Sequence, residues 1–179
     1  MSFQSKTDYF NIAGNGLVIT SSEENKSSQV AQAHDEKGDI VAEEVYGETS
    51  APACTYVLSG DVAIGSINIG KATTGTGTKY VITSLQIDTT AGSPPSVQAS
   101  GEEVPTTSHT DCYYEVPSAA VNVCHHAQIL WGAFTLSGQG CYLTQASYTA
   151  SGSLTKATKD GETIAYDISD GQLQASITI

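Results

Sequence analysis

Residues 27–48 read SSQVAQAHDEKGDIVAEEVYGE, and this stretch decides the fold class. Two segments, 28–35 and 40–47, alternate apolar and polar residues with the period of two that a strand imposes. Glu36-Lys37-Gly38-Asp39 joins them, and Gly38 supplies the positive φ that a tight hairpin turn demands. The reading is a β-hairpin. Its charge is one-sided: Asp35, Glu36, Asp39, Glu43, Glu44 and Glu48 stand against a single base, Lys37.

The same period runs outward through the chain. Thr55–Gly70 reads as one long strand or two short ones, and Lys79–Asp88 as another, ending at TTAGSPPSV, where Pro94-Pro95 forces an extended connection. Residues 127–138, 141–155 and 162–168 read as strands. The final GQLQASITI places Leu173, Ala175, Ile177 and Ile179 on one face. Gly138-Gln139-Gly140, Lys159-Asp160-Gly161 and Ser169-Asp170-Gly171 carry turn chemistry. Helix signals are scarce. SSEENKSSQVAQAH offers Ser21 or Ser22 as an N-cap with Glu24 in the first turn, and PSAAVNVCHHAQIL places Pro117 at a helix start, but each reads equally as strand or loop. No repeat or linker interrupts the chain. The sequence therefore predicts a mainly β fold over 1–179, a single-domain β-sandwich or barrel with an extended hairpin at 28–47 and at most one or two short helices.

A chain of 179 residues has the length for a proper core. Its formal net charge is −12, all seven bases are lysines, and arginine is absent. Arginine's planar fork is the preferred reader of phosphate and guanine, so specific nucleic-acid binding is not expected. The N-terminal MSFQSKTDYFNIAG has no apolar region of the secretory type, and no apolar run reaches membrane-spanning length. Cys54, Cys112, Cys124 and Cys141 would stay reduced in a cytosol and could pair only in a protein that ends its life outside the cell.

Candidate chemistry is thin. Gly65–Lys71 spells GxxxxGK, but Ala72 stands where a P-loop needs a hydroxyl for magnesium, and the interior alternates like a strand. Cys112, Cys124, His125 and Cys141, with His109 and His126 nearby, form the only metal-like grouping, and they lack the close paired spacing of a zinc site. Ser108-His109-Thr110-Asp111 holds the residue types of a triad without its geometry. Glu43-Glu44 and Glu102-Glu103 are neighbours on strands, so their side chains point apart rather than at one sugar. The acids at 35–39 and 167–171 lack the ligand spacing of an EF-hand. Trp131, within AQILWGAF, reads as core before it reads as a sugar platform. The expectation is no catalytic residue, no cofactor and no metal.

Assembly remains. The acidic hairpin SSQVAQAHDEKGDIVAEEVYG, the Gly/Thr-rich strand series and the ending YTASGSLTKATKDGETIAYDISDGQLQASITI resemble virion structural proteins of tailed bacteriophages, and tail tube proteins in style. That resemblance implies a β subunit that closes hexameric rings, stacks them into a DNA conduit and joins other virion proteins, with no cofactor and no membrane. It implies assembly in the bacterial host cytoplasm and residence in the virion. On this reading the self-assembly hairpin is carried by Val30, Gln32, Asp35, Glu36, Gly38, Asp39, Val41, Glu43, Glu44 and Tyr46. A carboxylate lining would repel passing phosphate over a Debye length of about 8 Å. The acids divide between faces, however: Val41, Glu43 and Val45 share one, and Ile40, Ala42, Glu44 and Tyr46 the other. The alternatives are a capsid decoration protein, a head–tail connector, and an Ig-like module that binds a glycan or host surface.

Overall fold

In the computed structural model the hairpin extends in both directions. β1 runs Leu17–His34 and β2 runs Ile40–Leu58, paired antiparallel from Leu17↔Leu58 to His34↔Ile40. The structure describes residues 6–14, 16–58, 62–64, 67–69, 72–74, 79–104, 114–116, 119–122, 128–131, 134–136, 144–159 and 162–178. After β2 come β3 (Val62–Ile64), β4 (Ile67–Ile69), β5 (Ala72–Thr74), β6 (Lys79–Thr90) and β7 (Ser96–Val104). Then follow β8 (Tyr114–Val116), β9 (Ala119–Asn122), β10 (Gln128–Trp131), β11 (Phe134–Leu136), β12 (Gln145–Lys159) and β13 (Glu162–Thr178).

The mainly β expectation holds, and among the described residues there is no helix. Seven strands form the principal sheet in the order β1-β2-β7-β6-β12-β13, with β5 also paired to β6, and every pairing is antiparallel. β11-β10-β9-β3 form a second sheet, and β4 pairs with β8.

Both helix candidates resolve as strand on the described residues. Ser21–His34 is strand, because each residue from Ser21 to Ser27 finds a cross-strand partner between Thr49 and Thr55. Cross-strand bonding outweighs a local capping signal that is worth about 1 kcal/mol. Ala119–Asn122 and Gln128–Trp131 are strands paired to each other; the rest of that candidate lies outside the described residues. Ser169-Asp170-Gly171 is likewise no turn but part of β13. Ser151 pairs with Gln172 and Ser153 with Ser169, so Asp170 and Gly171 face Gly152 as a bulge, with Asp170 at φ 53°.

The core is laid out in cross-strand rows. Cys54, Ala99, Leu85 and Ala150 lie side by side across β2, β7, β6 and β12; Tyr56, Val97, Ile87 and Tyr148 form the next row. All eight are buried. Full burial of each Leu, Ile or Val here contributes roughly 1.5–3 kcal/mol. Both rows run on into β13, to Leu173 and Ala175, which are exposed because β13 is the last strand on that side. The face expected for the final strand therefore shares the core side, but it lies at the rim.

Residues 6–14 form a strap across one side of this core. Phe10 is buried in the same core cluster as Tyr56 and Ile82, and Tyr9 meets the Tyr80 ring edge to face, with centroids 5.4 Å apart. Gly101 makes room for the strap, since a Cβ there would meet the Val81 carbonyl and come within 2.7 Å of the Phe10 ring. Beyond the register shifts at Ser151/Ser153 and Ile82/Ser84, a smaller cluster of Val81, Val104, Tyr166 and Leu154 forms, and Lys156 reaches Glu102 at 2.7 Å.

Candidate functional site: an exposed two-stranded arm

β2 pairs with β7 only over Ala53–Val57. Pro52, next in line, has no N–H to continue a ladder. From Pro52 to Ile40, β2 is held by β1 alone, and β1 pairs with β2 alone among the described residues. Beyond the step where Glu24 meets Ser50, residues 25–34 and 40–49 form a two-stranded ribbon about 30 Å long at strand rise, exposed on both faces apart from a half-buried Gly47.

Every residue from Asn25 to Tyr46 is exposed. These include Val30, Ile40, Val45 and Tyr46, and Val41 at 63%. Register assigns the faces. Val30 lies opposite Val45 and Gln32 opposite Glu43, so these share one face; Ala31 lies opposite Glu44 and Gln29 opposite Tyr46 on the other. Gln32 Nε2 donates to Glu43 Oε2 at 2.8 Å. The acids thus divide between the two faces, and Glu43 and Glu44 point apart.

The tip is built on Asp35. Gly38 N–H donates to the Asp35 carbonyl at 3.0 Å, and Asp35 Oδ1 accepts from the N–H groups of Lys37 and Asp39 at 2.8 and 2.9 Å. Gly38 follows at φ 88°, the left-handed residue that returns the chain to its partner strand. Asp35 therefore shapes the turn, whereas Glu36 and Asp39 leave their charges in water.

At the other end, Glu24 marks where the ribbon leaves the body. It pairs with Pro52, one step beyond the last β1 residue whose partner still contacts β7. Its Oε1 accepts from Ser50 Oγ at 2.6 Å and from Tyr80 OH at 3.1 Å, with Lys26 Nζ at 3.6 Å; its Oε2 lies 3.5 Å from Tyr9 OH. The Ser50 hydroxyl, with those of Tyr80 and the Lys26 charge behind it, holds the Glu24 carboxyl below its usual range despite some burial. Burial first, then Glu24, pushes both Tyr9 and Tyr80 up. No motif or spacing in the sequence marks this cluster.

Cys112, Cys124, His125 and Cys141, with His109 and His126, lie outside the described residues. Among the described residues no three metal-ligating side chains converge. Ile67–Ile69, inside the GxxxxGK pattern, is strand paired with β8. Glu102 binds Lys156, and Glu103 lies opposite Tyr80. Trp131 falls in β10. Comparison with protein families, curated proteins and solved structures finds no match.

Proposed function

We propose that this chain is a structural subunit that assembles with copies of itself through the β1–β2 arm, as a component of a tailed-phage virion and specifically a tail tube subunit. The supporting observation is the arm itself. A two-stranded ribbon alone is marginally stable in water, and this one exposes Val30, Val41, Val45, Ile40 and Tyr46 together with open backbone edges. Open edges are aggregation hazards unless they are used, and closed assembly uses them. The carboxylates keep the free subunit soluble until the arm is covered. The tube assignment rests on the resemblance of the hairpin, strand series and ending. No catalytic role and no cofactor enter this reading.

Deletion of residues 31–44 tests it. The full chain should form rings or tubes about a hundred ångströms across in negative stain, the size expected when six domains of ordinary radius close. The shortened chain should stay folded and monomeric. Tubes of normal diameter from the shortened chain, or a full chain that stays monomeric at high concentration, would overturn the proposal.

A further inference from the structure

Four groups remote from one another in sequence converge on Glu24: Tyr9 from the strap, Ser50 from β2, Tyr80 from β6 and Lys26 from β1. Three of them lie outside Glu24's own strand, and Glu24 sits at the step where β2 loses β7 as a neighbour. Among the described residues the ribbon beyond has no other support from the body, and Asn25–Tyr46 is exposed throughout. Ser50 is buried, and its hydroxyl donates the shortest of these bonds.

We propose that Glu24 is the latch of the arm: its carboxylate fixes the angle at which β1–β2 leaves the body by binding the strap and β6 to the arm's root. A carboxylate can accept all of these hydrogen bonds at once, and such charge-assisted bonds are about twice as strong as neutral ones. A protonated carboxyl has fewer acceptor sites and no charge, so it releases part of the set. With the latch open, only the β1–β2 ladder and its bulge at Ser27/Gln29 guide the ribbon.

The latch responds to pH. The titratable and charged groups around it are Lys26 on its own strand, Tyr9 on the strap and Tyr80 on β6. Behind these stand Cys54 on β2, which acts on Tyr9, and Glu103 on β7, which acts on Tyr80. Tyr9, Tyr80 and Cys54 are all pushed upward, so they stay neutral while Glu24 titrates. The folded chain holds the Glu24 carboxyl below its ordinary value of 4.5. Its stabilisation is therefore fully present above that value and is lost as pH falls through the lowered one. The arm is fixed at neutral pH and loosened in acid. Glu24 is a positioning residue, and the latch stands whether or not the arm is the assembly element.

Pulsed electron paramagnetic resonance tests this on the full chain, diluted until light scattering reports monomer. Spin labels attached through unnatural residues at positions 37 and 98 report the distance from the arm tip to β7. At pH 7 the wild-type distribution should be narrow. Glu24→Gln should widen it roughly twofold, as expected of a segment released to local motion, and acid should widen the wild type but leave the variant little changed. Tyr80→Phe, which keeps the ring and removes one donor, covers the case in which Glu24→Gln loses its β circular dichroism; it should widen the distribution by itself. An unchanged width in the folded Glu24→Gln chain, or in Tyr80→Phe where that variant has to decide, overturns the latch. So does a wild-type arm indifferent to acid. Failure to form rings overturns the assembly reading and leaves these distances unaffected.

Discussion

Tyr56 on β2 donates its hydroxyl proton to Asp8 Oδ1 at 2.6 Å, joining the middle of the core to the strap across 48 positions of sequence. The same carboxylate accepts the Ala13 N–H at 2.7 Å and the Phe10 N–H at 3.3 Å. Burial, reinforced by Asp8, pushes the Tyr56 phenol far up, so it acts as a donor at every physiological pH. One half-buried acid thus satisfies a buried hydroxyl and shapes the loop that seats Phe10.

Asp8→Ala should cost about 1–3 kcal/mol, because it leaves the Tyr56 hydroxyl in the core without its carboxylate. Tyr56→Phe made in the Asp8→Ala background should cost less than Tyr56→Phe alone. Urea unfolding midpoints for the four chains of this cycle measure the coupling.

Gly101→Ala should destabilise by about 1–3 kcal/mol, the range for inserting a methyl into a filled core. Phe10→Leu should recover only part of that loss, since the Val81 carbonyl still meets the added methyl. Full recovery in thermal melts would place the whole conflict on the ring.

Lys156 is mostly covered, whereas its partner Glu102 is 43% exposed at the side chain. Solvent screens such a pair, so Glu102→Gln should cost no more than about 1 kcal/mol. Lys156→Met should be close to neutral, because its apolar stem is kept and no buried charge is left unpaired. Denaturant titrations at low and high salt check both, and the Glu102→Gln cost should shrink with salt.

Val41→Ser with Val45→Ser should leave the unfolding midpoint within about 0.5 kcal/mol of wild type, as for other exposed positions. The same double change should abolish or strongly slow polymer formation, read by light scattering, if the arm is the assembly element. Normal assembly kinetics would count against it.

Cys54 is buried, and burial pushes its thiol up. Alkylation at Cys54, followed by peptide mapping at pH 8, should be negligible in the native chain and should rise in step with unfolding in urea.

The hairpin was legible because Glu36–Asp39 is turn chemistry between two alternating runs. Its true length was not. From Ser21 to Ser27 the strand is polar on both faces, so no apolar period marks it, and its identity comes from partners beyond Tyr46. Ser169-Asp170-Gly171 carried a real left-handed signal, which the fold spends on a bulge because β12 continues past it. The Glu24 cluster was invisible for a different reason: Tyr9, Ser50 and Tyr80 stand 15, 26 and 56 positions away, and only the sheet order brings them together.

The contact between Gly101 and Phe10 also constrains descent. A lineage cannot enlarge position 101 first, because the Val81 backbone and the ring both stand in the way. Nor can it lose the ring at position 10 without opening a void beside the missing Cβ. The two sites should therefore change together or stay fixed, and in diverged relatives a bulkier residue at 101 should coincide with a strap that takes a different path.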